Sequence, residues 1–142
     1  MLRIENWERR LAEAIDAARA RPFVWGIHDC PTFAFQTRMI LTDGEDVTAL
    51  WRGRYTTALG GQRVMRRLGW GSLEDMGRAL LGEPRPAVLL AQRGDIVLAN
   101  TGLGFGVCVG ASAVGMAPVG LVTVPLTSCQ LAWRIYGLSG FT

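Results

Sequence analysis

Three neighbouring side chains, His28, Asp29 and Cys30, are the residues of this chain that could do chemistry together. Cys30 is followed by Pro31, which favours the first turn of a helix because its missing N–H is not needed there. A thiol at a helix N-terminus lies in partial positive charge, which lowers its pKa and favours the nucleophilic thiolate. The segment therefore predicts either a cysteine nucleophile or a small core residue, since free cysteines are often fully buried.

A cysteine nucleophile needs a base, and His28 is the single histidine of the chain. Residues i and i+2 of an extended segment share a side, so contact between His28 and Cys30 is not excluded. A catalytic base is normally oriented by a third group, whereas Asp29, adjacent in sequence, would point elsewhere. We expect His28 to cap the turn or pack at the surface, with a catalytic role as the alternative. We expect Asp29 to cap the helix that begins at Pro31 rather than do chemistry.

Length and composition indicate one folded domain spanning residues 1–142. The chain has 142 residues, of which 49% are hydrophobic and 19% charged, enough for a core of its own. Its arginines are scattered rather than gathered into the basic stripe of a nucleic-acid-binding protein, so we expect no nucleic acid partner. The chain has three widely spaced cysteines and one histidine, so we expect no metal site and no disulfide. We also expect no cofactor. We expect Cys108 and Cys129 to be structural.

The stretch from Ile96 to Trp133 contains no charged residue and is long enough to cross a bilayer. Its glycines, together with Pro118 and Pro125, and the alternation of its apolar residues favour buried strands separated by turns. We therefore expect no membrane span. Residues 1–6 lack the apolar stretch of a signal peptide.

Helical patterns fill the first half of the chain, and strand patterns fill the second. Helices are predicted after Asn6, at Pro31, near Thr57 and after Ser72. The predicted strands are 94–99, 105–111, 121–126 and 132–136, with 114–116 as a candidate for a further strand. This order predicts an α+β fold whose N-terminal helices precede a mainly antiparallel sheet of about four to five strands.

Residues 23–30 (FVWGIHDC) resemble the nucleophile motif of the NlpC-type papain-like cysteine peptidases, which are cell-wall enzymes. Residues 93–97 (RGDIV) are similar to their Pro-Gly-Asp-Leu strand, and residues 106–110 (GVCVG) to their Val-Gly-Ile-Tyr-Val-Gly strand. The resemblance implies a papain-like fold with Cys30 in the nucleophile position at the start of a central helix. It also implies a cleft formed by Trp25, Gly26 and Gly104.

The chain departs from that family at the catalytic base. The family carries a histidine just before its Val-Gly pair, and the matching position here is Gly104. A polar residue on the next strand usually orients that histidine, whereas the matching place here holds Gly115 and Met116. Because the imidazole takes the thiol proton and then supplies one to the leaving amine, the resemblance implies a pseudoenzyme in which Cys30 is vestigial.

A divergent branch resembles nearly the whole chain through the runs RPFVWGIHDC, GRYTTALGGQRVMRRLG and VPLTSCQLAWRI. Its members are small proteins encoded among the tail genes of phages, prophages and gene-transfer-agent clusters. The resemblance implies a structural protein of the virion tail tip or baseplate, made in the bacterial host cytoplasm. The implied partners are the tail hub, the distal tail proteins and the central fibre.

Two other functions stay open. One is an active cysteine peptidase or amidase that cuts peptidoglycan peptides while DNA passes into the cell. It would use Cys30 with His28, or with a base from another chain. The other is a module that binds a peptide or small molecule in the cleft beside Cys30 and Trp25.

Overall fold

The computed structural model describes residues 3–100 and 104–136 and shows an α+β fold. Four helices come first, namely α1 (Trp7–Arg19), α2 (Cys30–Thr42), α3 (Ala58–Arg67) and α4 (Leu73–Leu81). Five strands follow, namely β1 (Ile96–Ala99), β2 (Phe105–Cys108), β3 (Ser112–Ala117), β4 (Gly120–Pro125) and β5 (Cys129–Trp133). The predicted α+β order is confirmed. The predicted domain limits also take in residues 1–2, 101–103 and 137–142, which lie outside the described residues.

The strands form one antiparallel sheet in the order β4-β3-β2-β1-β5. Ile96 of β1 therefore lies opposite Val107 of β2 on one side and Trp133 of β5 on the other. The register between β1 and β5 shifts between Leu98 and Ala99, where the ladder is irregular. The mainly antiparallel sheet predicted from the sequence is thus confirmed for the described residues.

Several strand boundaries differ from the prediction. Strand β2 ends at Cys108 rather than at residue 111, and β5 ends at Trp133 rather than at residue 136. The candidate strand at 114–116 extends over the whole of β3, because its neighbours pair with β4 from Ser112 to Ala117. The last strand begins at Cys129 rather than at residue 132. A short 3₁₀ turn at Leu126–Ser128 brings the chain back to β1 earlier than the hydrophobic pattern indicates.

Helix α2 is the centre of the core, as its apolar residues on more than one face predict. It buries Phe33, Ala34 and Phe35 and contacts both α1 and the sheet. The Phe35 ring meets Phe105 of β2 edge-on at 5.4 Å and Trp51 at 5.9 Å. Cys30 thus begins a helix that is held between α1 and the strands.

The helices cover one face of the sheet. Large side chains such as Leu98, Phe105 and Val107 point into the main core, and the alternation of the strands turns Val97 and Cys108 to the opposite face. That second face carries small residues packed under Leu126 and has only a minor cluster of its own. Among residues 3–100 and 104–136, no helix is long and apolar enough to cross a bilayer.

Side-chain caps begin three of the helices. Asp29, Thr57 and Ser72 each accept a hydrogen bond from a backbone N–H in the first turn of α2, α3 and α4. Asn6 occupies the cap position of α1 but adopts a left-handed φ of 62° and makes no such bond. The helix starts predicted near Pro31, Thr57 and Ser72 are confirmed.

A buried carboxylate ties the N-terminal segment to the sheet. Asp95, immediately before β1, is fully buried and pairs with Arg3 at 2.8 Å and with Arg85 at 2.7 Å. The backbone N–H of Gln92 donates to the same carboxylate at 2.8 Å. These partners satisfy a charge that would otherwise be costly to bury, and they fix the position of β1 behind α2.

Candidate functional site

Asp29 holds the turn that positions Cys30 at the first residue of α2. One carboxylate oxygen accepts the backbone N–H of Thr32 at 3.2 Å. The other accepts the backbone N–H of Gly26 at 2.9 Å and the hydroxyl of Tyr55 at 2.5 Å. The predicted capping role is therefore confirmed, and the buried carboxylate is engaged by three donors that stiffen the turn.

Gly26 permits this turn but does not line the cleft. Its φ of 76° lies in the left-handed region, and a Cβ there would lie 2.7 Å from the backbone oxygen of Tyr55. The structure thus places Gly26 beneath Tyr55 rather than among the cleft residues predicted from the resemblance. Trp25 does line the cleft, and its ring packs edge-on against Phe23 at 4.7 Å between centroids.

A cleft of about 440 Å³ opens beside Cys30. Every described lining residue is apolar, a glycine or a cysteine, and no described residue of the wall carries a charge. The wall is formed mainly by the segment before α2 and by the five strands. Its residues are Phe23, Trp25, Cys30, Val97, Ala99, Gly104, Phe105, Gly106, Ala113, Val114, Gly115, Met116, Ala117, Pro118, Val122, Val124 and Cys129. Such a wall suits apolar groups and offers few hydrogen bonds to a polar substrate.

Cys30 is partly exposed where it lines the cleft, yet the surroundings of its thiol favour the neutral form. Desolvation by burial raises the pKa of Cys30 to about 12, and the negative charge of Asp29 acts in the same direction. A backbone hydrogen bond with Phe105 lowers the pKa but does not offset burial. The helix N-terminus was expected to lower the pKa of Cys30, but desolvation has the larger effect. The thiolate loses more solvation free energy than the helix N-terminus supplies by electrostatic stabilisation.

Gly104 lies directly against Cys30. A Cβ built on Gly104 would sit 3.4 Å from Cys30 Sγ and 3.5 Å from its Cβ, which is van der Waals contact. A side chain at position 104 would therefore be in contact with the thiol. The other two positions marked by the resemblance, Gly115 and Met116, also line the cleft and provide no ionisable group.

His28 is engaged away from the cleft. Its imidazole is 2% exposed, and its Nε2 lies 3.2 Å from the carbonyl oxygen of Ala18, which accepts a hydrogen bond from the Nε2–H tautomer. The ring meets Phe33 edge-on at 6.3 Å and borders a separate cavity of about 90 Å³. Burial lowers the pKa of His28. The expected place at the surface is thus wrong, and His28 is not among the residues that line the Cys30 cleft.

A family model described as Domain of unknown function (DUF6950) matches residues 2–135. The chain belongs to this family. Comparison with curated proteins and with solved structures gave no match. The DUF6950 match runs from before α1 to the end of β5, so it contains the cap, the cleft and both Cys30 and Gly104.

The other cysteines of this DUF6950 domain are buried and unpaired. Cys108 and Cys129 belong to the minor cluster on the second face of the sheet. Burial raises the pKa of both thiols. Within the described residues, no group of His, Cys, Asp or Glu side chains is arranged to hold a metal ion.

Tyr55 and Cys129 are among the residues of the candidate site that were not predicted from the sequence. Tyr55 donates to Asp29 from 26 residues away, and no local spacing marks that contact. Cys129 lines the cleft from β5, although the sequence suggested only a structural thiol. Its position depends on the 3₁₀ turn that advances β5, and nothing in the hydrophobic pattern signals that turn.

Proposed function

We propose that this DUF6950 chain is a papain-like domain of the NlpC type with a retired active site. It serves as a structural, protein-binding component of the tail tip or baseplate of a phage or phage-like particle. The observation that carries the proposal is the contact between Gly104 and Cys30. The position that would present a base to the thiol, 3.4 Å from Sγ, has no side chain. The order of helices, Cys-initiated helix and antiparallel sheet supports the relationship.

The chemistry of the thiol also favours a retired site. Attack on a peptide carbonyl requires a thiolate and a group that protonates the leaving amine. With its pKa raised to about 12, Cys30 stays protonated at neutral pH. The Phe105 backbone contact supports the thiolate but not enough to offset burial. His28 is committed to Ala18.

Exposed apolar side chains in the turn before Cys30 and on the cleft wall support a binding role. Val24 and Ile27, in the turn before Cys30, are 44% and 38% exposed, and Val122 on the cleft wall is 36% exposed. Val122 brings the apolar wall of the cleft to the surface. Contiguous exposed apolar surface is typical of sites that bind another protein. The resemblance to tail-cluster proteins suggests the tail hub, the distal tail proteins or the central fibre as the partner.

The rival functions use the same cleft differently. A peptidase that cuts cell-wall peptides would need a base from another chain, since the His28 imidazole is bonded to Ala18. A module for a peptide or small molecule would use the open volume of about 440 Å³. The uncharged wall makes a charged cell-wall peptide a poor fit for either function.

Particles that carry variants of this chain separate a binding role from a catalytic one. We expect Cys30→Ala particles to assemble and deliver DNA like the wild type. We expect Ile27→Asp to lower incorporation of the chain into particles at least severalfold, because it places a charge among the exposed apolar side chains of the turn before Cys30. Leu59→Asp is the matched control, an exposed leucine on α3 (56%) outside the turn before Cys30. Cys30→Ala particles that assemble normally but lose infectivity would contradict the proposal.

A further inference from the structure

The two edges of the sheet differ in how they are covered. Along β5, the backbone N–H of Arg85 donates to Ala132 O at 2.7 Å, so the chain after α4 covers part of that edge. At the other edge, Leu121 and Thr123 of β4 receive no backbone hydrogen bond from outside the β3–β4 ladder within residues 3–100 and 104–136. The β4 edge is therefore the edge whose backbone groups stay unpaired in the described chain.

The register shows which backbone groups point outwards from β4. The N–H of Leu126 donates to Ala111 O at 2.9 Å, which continues the ladder in which Val124 pairs with Ala113. In an antiparallel ladder hydrogen-bonded pairs alternate, so Gly120, Val122 and Val124 bond to β3. The N–H and C=O groups of Leu121 and Thr123 consequently face away from the sheet.

Strand β4 has few of the features that usually prevent strand pairing, although α1 contacts the strand. Strand β4 has no charged residue and no bulge against β3, and its proline stands at the last position. Val122 and Thr123 are exposed, and the hairpin tip before β4 carries Val119 at 88% exposure. An uncharged, exposed edge strand can pair with another strand. Strand β4 of a second copy is suitable, because it is uncharged and contains the β-branched residues Val122, Thr123 and Val124.

We propose that two copies of the chain pair through β4, antiparallel, about a two-fold axis at Thr123. Two residues that lie opposite each other in a ladder have side chains on the same face of the sheet, whereas neighbours along one strand have side chains on opposite faces. A two-fold axis perpendicular to the sheet must therefore pass through one residue position and not between two. At Thr123, the outward N–H and C=O groups of the two copies bond to each other reciprocally. Val122 of each copy then lies opposite Val124 of the other, on the face of the sheet that carries Val97 and Cys108. No like charges meet there. The two sheets join into one, with both Cys30 clefts on the same side.

Leu121 fits the same register. Its outward N–H faces the carbonyl of Pro125 of the second copy, an acceptor that proline retains although it lacks a donor. Thr123 opposite Thr123 is also a favourable cross-strand pair. This interface does not depend on the role of Cys30, because every group in it belongs to β4.

The purified chain alone tests this pairing by sedimentation over a range of concentrations. We expect a concentration-dependent species of twice the mass of the chain. We expect Thr123→Pro to abolish it, because proline removes an outward N–H without removing a bond to β3. Thr123→Lys, which places two like charges on the axis, should abolish it as well. Thr123→Val, which keeps the backbone groups and the shape, should retain the doubled mass.

Hydrogen exchange gives an independent readout of the same edge. We expect the amides of Leu121 and Thr123 to become protected as concentration rises in the wild type, but not in Thr123→Lys. A wild-type chain that stays monomeric at every concentration overturns the proposal. A dimer that is unchanged in Thr123→Pro and Thr123→Lys also overturns it, since the interface would then lie elsewhere.

Discussion

Gly104 and Cys30 face each other across the cleft so closely that a Cβ on Gly104 would touch Cys30 Sγ at 3.4 Å. The contact places position 104 where a base would have to stand to take the thiol proton. It also means that a small substitution can be accommodated there, since 3.4 Å is an ordinary van der Waals distance. The pair therefore permits a direct test of what the missing side chain controls.

Gly104→His should lower the pKa of Cys30 from about 12, because an imidazolium beside the sulfur stabilises the thiolate. Each unit of lowering raises the thiolate fraction at neutral pH about tenfold. The measurement is the pH dependence of Cys30 alkylation by iodoacetamide, followed by mass spectrometry. Gly104→Ala is the control and should alkylate as slowly as the wild type. An ordinary wild-type midpoint near 8.5 would contradict the account of a buried, neutral thiol.

Gly26→Ala should destabilise the chain more than Gly53→Ala, although both glycines have a φ of 76°. The left-handed conformation costs an alanine roughly 1–2 kcal/mol at either position. At Gly26 the added Cβ would also lie 2.7 Å from Tyr55 O, whereas at Gly53 the nearest atom is 4.0 Å away. Denaturant unfolding measures both variants. Equal losses of unfolding free energy would show that the turn before Cys30 relaxes freely.

Asp95→Ala should cost about 3–5 kcal/mol of unfolding free energy, because it leaves the partly buried Arg3 and Arg85 without their carboxylate. Glu83→Ala is the matched control. Glu83 pairs with Arg78 at 3.0 Å, but its side chain is 87% exposed, and such exposed pairs add little to stability. Chemical denaturation of the two variants gives the comparison. A loss at Asp95 no larger than at Glu83 would mean that the cluster does not anchor β1.

The stability of the chain should fall as the pH drops below about 6.5, the ordinary pKa of histidine. Burial lowers the pKa of His28, with Arg21 acting in the same direction and the Ala18 carbonyl and Asp29 opposing it. Below about pH 6.5, His28 therefore binds a proton more readily in the unfolded chain than in the folded chain. The free energy of unfolding decreases as the pH falls towards the lowered pKa of His28. Thermal midpoints measured from pH 7 to pH 5 test this. His28→Gln should flatten the dependence in that window, and an unchanged slope would exclude His28 as its source.

The sequence predicted the elements that carry strong local signals. Asp29 followed by Cys30 and Pro31 marked the start of α2, because a cap and a proline at the first turn act within four residues. The antiparallel sheet followed from the change of hydrophobic period after residue 93. These features depend on neighbours in the chain, so they can be read without the fold.

The remaining features depend on contacts between distant residues. Tyr55 meets Asp29 because α3 and the turn before α2 converge, and Gly26 is forced beneath Tyr55 by the same convergence. The helix-dipole argument gave the wrong direction for the pKa of Cys30, because burial depends on how closely Phe105 and the sheet approach α2. His28 likewise is buried because α1 packs over it.

The most direct test of the central claim is muropeptide release from peptidoglycan by the purified chain, run beside Cys30→Ala. The account of a retired active site predicts no release by either protein, since the thiol is neutral and Gly104 offers no base. Release by the wild type that disappears in Cys30→Ala would contradict it and make the chain a cysteine hydrolase.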